Sequence, residues 1–201
     1  MSIDLTAEEI GLLTQLIESG VSLSSERLAM LSGAKWEVVS ASVEAVPIVR
    51  ALTMFHKDTA VNFGANLRSR SLMPLDFLML FPEWSTQPLE EALAKSAPAL
   101  KNLPNRTQAV VGEIANILGQ GIVKAMADRL NLSILLSTPQ VSMGTKTDLM
   151  RAALEKFDGR KDTVIMTHVE MFSGNLSTVC SMILVLDAAV MQRLLKKAIT
   201  K

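Results

Sequence analysis

The strongest constraint on the fold is an order of helices and strands that occurs twice along the 201-residue chain. Hydrophobic periodicity and cap residues predict, in the first half, a helix from Ala7 to about Gly33, strands at 35–43, 59–68 and 75–81, and a helix from about Gln87. The second half is predicted to contain a helix at 105–130, a strand at 133–141, a shorter helix at 148–157, strands at 163–172 and 178–186, and a helix at 188–199. Each half therefore begins and ends with a helix and has strands in between.

Local sequence similarity supports a duplication. Asp58-Thr59-Ala60-Val61 resembles Asp162-Thr163-Val164-Ile165, and the apolar run at 77–81 resembles that at 182–186. The period of about 100 residues is longer than that of ordinary solenoid repeats. We therefore predict an α+β fold, a single domain in which two pseudo-symmetric halves, approximately 1–100 and 101–201, share an antiparallel-rich sheet packed by long helices.

The start of the first helix has a clear signature. Thr6 is followed three residues later by Glu9, which is the pattern of a capping box, and Leu5 and Ile10 are placed as a hydrophobic staple. These residues predict that the helix begins at Ala7.

Composition limits the classes of function. The chain has 20 acidic and 20 basic residues with no long run of either, which argues against nucleic acid or an anionic membrane surface as the main partner. The single cysteine, Cys180, excludes an internal disulfide framework, and two distant histidines, His56 and His168, form no recognisable metal site. These features favour a reducing compartment.

Membrane insertion is also not expected. Polar or charged residues interrupt each apolar stretch before it reaches the ~20 residues that a spanning helix needs. The first residues lack the basic segment and apolar block of a secretory signal. We expect a cytoplasmic protein. No phosphate-binding loop, paired metal-ligand motif or glycine-flanked nucleophilic serine is found.

The most informative functional pattern lies in the predicted helix at 105–130. Glu113 and Asn116 are three residues apart and so lie on one helical face, and Pro139 follows after 22 intervening residues. Rotation by 100° per residue places both side chains in a narrow polar stripe opposite an apolar face, which predicts that they face solvent or a partner. Any amphipathic helix shows polar residues outward, so the pair alone does not establish a function.

The spacing of these residues is similar to the active-site motif of the CheC/CheX/FliY family of phosphatases, which remove phosphate from the aspartate of response regulators such as CheY. The surrounding run, Glu113-Ile114-Ala115-Asn116-Ile117, resembles the Glu-Ile-Gly-Asn-Ile stretch of that family. The resemblance implies a CheC-like fold of two related halves, often with a motif in each, and hydrolysis of an aspartyl phosphate.

Roles for the two polar residues follow from this resemblance. Asn116 would orient the attacking water, because a carboxamide can donate to and accept from water without being a strong base. Glu113 would pair with the lysine of the regulator through a charge-assisted hydrogen bond. The resemblance implies no cofactor of the chain's own, since Mg²⁺ would be carried by the regulator. Implied partners are a phosphorylated CheY-like receiver domain and a CheD-like regulator, and relatives act either as a monomer or as a dimer.

Neighbouring residues have two interpretations each. Gly119 and Gly121 cost roughly 1 kcal/mol each in a helix interior relative to alanine, which fits either the close approach of a partner or tight internal packing. Gln120, one turn past Asn116, either lines the docking surface or is an ordinary solvated residue. Pro139 is expected to end or edge the strand after the helix, because proline cannot donate to a sheet ladder.

Two departures from the family pattern are present. The pattern has Asp or Ser four residues before the glutamate, where this chain has Ala109. When the halves are aligned on the strand after each long helix, the first-half counterparts of Glu113, Asn116 and Pro139 are Leu16, Ser19 and Ser42, so the first-half site is predicted to be degenerate.

Two classes of function stay open. The first is a response-regulator aspartyl-phosphate phosphatase in chemotaxis or two-component signalling. The second is a non-enzymatic adaptor for receiver domains, or a flagellar-switch-type interaction protein, with the same fold. The intact Glu113 and Asn116 favour the enzyme, whereas Ala109 and the degenerate first half leave room for the adaptor.

Overall fold

A six-stranded antiparallel sheet with helices on both faces organises the chain. The computed structural model describes residues 4–69, 75–157 and 163–200. The helices are α1 (Ala7–Ser32), α2 (Ile48–Thr53), α3 (Thr86–Ser96), α4 (Arg106–Leu130), α5 (Lys146–Ala153) and α6 (Ala188–Ile199). The strands are β1 (Glu37–Pro47), β2 (Val61–Arg68), β3 (Leu75–Pro82), β4 (Gln140–Thr145), β5 (Thr163–Ser173) and β6 (Thr178–Asp187).

The strand order is symmetric about its centre. It runs β1-β5-β6-β3-β2-β4. If β1, β2 and β3 are exchanged with β4, β5 and β6, respectively, the same order is obtained when the sheet is read from its opposite edge. β3 and β6 form the central pair, while each edge strand pairs with a strand from the other half of the chain. The predicted α+β class, with two pseudo-symmetric halves sharing an antiparallel sheet, is therefore confirmed. Asp162, in one of the similar segments, lies outside the described residues.

Two hydrophobic layers sandwich the sheet because successive strand residues point to opposite faces. In β3, Phe77, Met79 and Phe81 pack into the larger layer beneath α1, α3, α4 and α6, whereas Leu78 and Leu80 pack into the smaller layer beneath α2 and α5. The continuous burial of β3 is what a central strand covered on both faces requires.

The ends of α1 follow the sequence signals closely. The side chain of Thr6 accepts a hydrogen bond from the Glu9 backbone N–H, and the Glu9 carboxylate accepts one from the Thr6 N–H. Gly33 ends the helix in the left-handed conformation, with φ of 66°, and donates its N–H to the Ala29 carbonyl. The predicted capping box is confirmed.

The second half departs from the predicted boundaries after α4. The strand predicted at 133–141 is wrong, since β4 begins only at Gln140 and runs to Thr145. α5 begins at Lys146, two residues earlier than predicted, because Thr145 caps it by accepting the Asp148 N–H. The short helix α2 was not predicted.

Candidate functional site

Helix α4 carries the Glu113–Asn116 motif across the centre of the larger layer. Its inward face is fully buried and consists of aliphatic and small residues, including Val111, Ile114 and Leu118. The helix ends at Asn131, which adopts the left-handed conformation with φ of 53°. Burial of one face fixes the rotation of α4, and with it the direction in which the motif side chains project.

The motif residues lie in one open cleft between α4 and the segment that leads into β4. Its volume is about 400 Å³. The lining residues are Gln108, Ala109, Gly112, Glu113, Asn116, Gln120, Leu136, Ser137, Thr138, Pro139 and Val141. The fold thus places Glu113, Asn116, Gln120 and Pro139 around the same space, although Pro139 is distant in sequence.

Gly112 allows the two walls to approach each other. A Cβ atom at this position would stand 3.5 Å from Val141 Cγ2 and 3.8 Å from Pro139 Cβ, which is ordinary van der Waals contact. Any longer side chain would therefore occupy the cleft beside Glu113. Pro139 immediately precedes β4, an edge strand, in agreement with the absence of a proline N–H for the ladder.

Three polar side chains of the cleft, those of Glu113, Asn116 and Gln120, are unpaired within the described residues. Glu113 and Gln120 are exposed and Asn116 is half-buried. Within the described ranges, none of the three side chains has a hydrogen bond or ion pair with another group of the chain. Glu113 is the one charged residue in the lining. The cleft therefore offers one carboxylate and several neutral hydrogen-bonding groups to an external partner.

Gly119 and Gly121, for which a partner contact and internal packing were both open, are packed inside the fold. Gly119 is buried, and a Cβ atom there would stand 3.0 Å from Leu136 Cδ1 and 3.4 Å from Leu67 Cδ2. Gly121 is buried against α1, where a Cβ atom would lie 2.6 Å from the Gly20 carbonyl oxygen. These placements favour internal packing over a partner contact for both glycines.

The counterpart of the motif in the first half also shifts by one residue. Gly33 and Asn131 are both left-handed caps at the ends of the long helices. Counting back equally from these caps places Gln15 opposite Glu113 and Glu18 opposite Asn116. Both are exposed on α1, whereas the predicted counterpart Leu16 is buried. The pair Gln15 and Glu18 still lacks the glutamate–asparagine order of the motif.

Sequence reasoning did not identify Ser137, Thr138 or Gln108 as lining residues. The signal was present for the first two, because they directly precede Pro139, but a regular strand through 133–141 would have pointed them to opposite faces.

The histidines and the cysteine form no second site. His168 lies on β5 on the face opposite α4, with its ring edge against Phe55, and burial lowers its pKa below the usual value, assisted by the charge of Lys146. Burial raises the pKa of the Cys180 thiol well above its usual range. Among the described residues, no group of three or more His, Cys, Asp or Glu side chains is placed to hold a metal ion.

Solved structures share this architecture at low sequence identity. FliY from Thermotoga maritima matches with a TM-score of 0.71 and 13% identity over 96% of this chain and 98% of that chain. A CheC-like superfamily protein from Shewanella sp. PV-4 matches with a TM-score of 0.55 and 11% identity, covering 91% of this chain and 99% of that one. The chain has the CheC-like fold. No family model and no curated protein sequence matches it.

A similar fold is also found in a solved protein–protein complex. A chain of the FliG–FliM complex from H. pylori matches with a TM-score of 0.65 and 8% identity, over 94% of this chain and 100% of that chain. The predicted resemblance to the CheC/CheX/FliY group is thus confirmed at the level of the fold, which this group shares with FliM.

Helix α4 is a core element of the CheC-like fold. By length and composition alone it is apolar enough to cross a membrane, and it is the one such helix in the described ranges. In the structure, however, 61% of its most apolar window is buried against the rest of the chain. Its hydrophobicity is therefore explained by internal packing.

Proposed function

We propose that the protein is a phosphatase that hydrolyses the aspartyl phosphate of a CheY-like response regulator in the cytoplasm. The observation that carries this proposal is the meeting of Glu113, Asn116 and Pro139 in one open cleft of a CheC-like fold, with both polar side chains unpaired within the described residues. A site of this kind is ready to receive the surface of another protein.

Asn116 acts on the attacking water. An acyl phosphate is already activated, so its hydrolysis depends mainly on a water held in line with the phosphorus and on compensation of charge. The water oxygen bonds to phosphorus as the bond to the aspartyl carboxylate oxygen breaks, which yields inorganic phosphate and restores the carboxylate. The carboxamide of Asn116 orients the water, whose proton leaves with the phosphate product.

Glu113 acts on the docking geometry. As the one charged group of the cleft, it pairs with a lysine of the receiver domain through a charge-assisted hydrogen bond. Among the described residues, the cleft lining contains no cationic side chain, and we assign the positive charge that the phosphoryl group needs to the regulator, as its lysine and its bound Mg²⁺. Gln120, at the edge of the same cleft, contacts the docked partner.

The decisive experiment follows the release of phosphate from a purified receiver domain phosphorylated in the presence of Mg²⁺. The native protein is expected to accelerate release, and Asn116→Ala to lower that acceleration by about a hundredfold, the loss typical of a misplaced reactant. Lys124→Ala, two turns further along the exposed face of α4 and outside the cleft, is the matched control and should behave as the native protein. Equal decay with and without the native protein, using the cognate regulator, would rule out the enzyme.

A second function is favoured by the match to a chain of the FliG–FliM complex and by Ala109, which departs from the motif of the phosphatases. The alternative is a receiver-domain-binding adaptor or flagellar-switch-type protein, which would use the cleft for binding without turnover. Binding to the phosphorylated receiver domain that persists without faster decay would select this alternative. Glu113→Lys should abolish binding in both cases, because it replaces the attractive charge with a repulsive one.

A further inference from the structure

The wall of the cleft opposite Asn116 is a β-bulge. Leu136 forms an isolated antiparallel bridge with Ser69, and the regular ladder resumes where Gln140 pairs with Asn66. Gln140 lies four residues after Leu136, but Asn66 lies only three residues before Ser69. One extra residue is therefore inserted, which is the defining property of a bulge, and bulges occur often beside active sites.

The hydroxyl of Ser137 holds this bulge in place. The Arg68 backbone N–H donates to Ser137 Oγ at 3.0 Å, and the Ser137 N–H donates to the Arg68 carbonyl at 2.8 Å. The same hydroxyl donates to the Thr138 carbonyl at 3.0 Å. A side-chain oxygen thus replaces the backbone carbonyl that a regular ladder would offer to Arg68.

The bulge turns three consecutive residues toward the cleft. In a regular strand, neighbouring side chains point to opposite faces, yet Ser137, Thr138 and Pro139 all line the same space as Asn116. Ser137 is occupied by its two hydrogen bonds. Thr138 is exposed, and within the described part of the chain its hydroxyl has no partner.

Arg68 is itself anchored on the far side of the sheet. Its guanidinium donates to the Ala152 carbonyl at 3.0 Å and lies 3.4 Å from the carboxylate of Asp76, which is 1% exposed. Lys156 Nζ contacts the other Asp76 oxygen at 2.5 Å. Arg68, to which Ser137 binds, is therefore held by its side chain as well as by its backbone hydrogen bonds.

We propose that Thr138 donates a hydrogen bond to the phosphoryl group of the docked partner, and that Ser137 is the positioning residue that holds Thr138 in place. This inference rests on the proposed function. Phosphoryl oxygens are strong acceptors, and a hydroxyl that is exposed, unpaired and held by a locked bulge can donate to them without reorganisation. Asn116 and Thr138 then approach the phosphoryl group from the two walls of the cleft.

The first test measures affinity for a receiver domain loaded with beryllofluoride, which mimics the aspartyl phosphate, and for the unloaded domain. Thr138→Val keeps the shape and removes the hydroxyl, and it is expected to weaken binding of the loaded domain by about tenfold to a hundredfold, the effect of one hydrogen bond to a charged group. Binding of the unloaded domain should not change. Ser142→Ala is the matched control, because Ser142 is exposed on β4 and does not line the cleft. This variant should bind as the native protein does.

The second test asks whether Ser137 acts through Thr138. Ser137→Ala should weaken binding of the loaded domain to a similar extent, and the double variant should bind no more weakly than Thr138→Val, because residues that act as a unit are not additive. Ser137→Thr keeps the hydroxyl and should restore binding. Amide hydrogen exchange at Arg68, measured without any partner, should be faster in Ser137→Ala and near native in Ser137→Thr.

The outcomes separate this inference from the phosphatase proposal. Native affinity of Thr138→Val for the loaded domain, independent losses in the double variant, or unchanged exchange at Arg68 in Ser137→Ala would each overturn the inference while leaving turnover intact. Specific weakening by Thr138→Val together with no acceleration of phosphate release by the native protein would support the contact and reject the enzyme. A native protein that does not bind the loaded domain would overturn both.

Discussion

Because Gly121 has no side chain, α1 and α4 can pack closely at this position. A Cβ atom at this position would overlap Ser24 Oγ and stand 2.6 Å from the Gly20 carbonyl oxygen. The Ser24 hydroxyl fills the contact and donates to the Gly20 carbonyl at 2.8 Å. The glycine therefore serves the contact between the two long helices and has no direct role at the cleft.

Gly121→Ala is expected to lower the free energy of unfolding by about 1–3 kcal/mol, because the added methyl group overpacks a fixed backbone contact. Gly11→Ala is the matched control, since a Cβ atom at this exposed helical position meets nothing within 4 Å. It should raise stability by up to about 1 kcal/mol through helix propensity alone. Urea denaturation of both variants measures the difference, and equal effects would contradict the packing role.

The angle around the helix, which can be calculated from the sequence, separates Gln120 on the cleft side from Gly121 on the buried side. Gln120 lies about 40° around the helix from Asn116, whereas Gly121 lies about 140° away, on the apolar side. The interpretation as a partner contact followed the cost of glycine in a helix and disregarded this angle. Ser137 and Thr138 could not have been placed in this way, because a bulge depends on pairing with a distant strand.

At the scale of elements, α3 secures the start of the motif helix. Asn105 precedes α4 without a side-chain cap, and the carboxylate of Glu90 on α3 instead binds the side chains of the first two residues of α4. Glu90 accepts a hydrogen bond from Arg106 Nε at 2.7 Å and another from the Thr107 hydroxyl. A carboxylate at this end also interacts favourably with the helix dipole.

Glu90→Ala is expected to cost about 1–2 kcal/mol of stability, since it removes two hydrogen bonds and a negative charge from a helix N-terminus. Glu91→Ala, at an exposed neighbouring position, should change stability by less than about 0.5 kcal/mol. Chemical denaturation and amide exchange in the first turn of α4 provide the measurements. If exchange there is unaffected by the loss of Glu90, its stabilising role at the start of α4 is wrong.

Elements that are defined by local interactions were predicted accurately, whereas those that depend on contacts with distant residues were not. α1 and α6 were predicted closely because local signals, the Thr6–Glu9 capping box and strong amphipathic periodicity, define them. β4 was misplaced because the aliphatic run before Pro139 is typical of a strand, while in the structure Ile134 packs into the core from a connecting segment. Tertiary packing determined that segment, and one sequence cannot reveal it.

At the scale of the whole molecule, the two halves are interleaved. β1 pairs along its length with β5, and β4 pairs with β2, so that each half supplies the partner of the other half's edge strand. The 1–100 and 101–201 boundaries are still a prediction. The pairing indicates that units cut there would each lose sheet contacts and core.

Separately expressed halves, 1–100 and 101–201, are therefore expected to lack a cooperative unfolding transition. The intact chain should unfold in one step, with tryptophan fluorescence and far-UV circular dichroism giving coincident curves. Mixing the halves should restore dispersed amide signals in NMR spectra. A cooperative transition in either isolated half would show that it folds independently.

The pairing of β1 with β5 also has a consequence for biosynthesis. More than a hundred residues separate paired positions such as Glu37 and Phe172, so β1 is synthesised long before its partner strand exists. During translation β1 has no partner on either edge, and such strands are prone to pair with other chains. The sheet can close only after β5 and β6 have been synthesised, so β1 stays available for pairing with other chains until then.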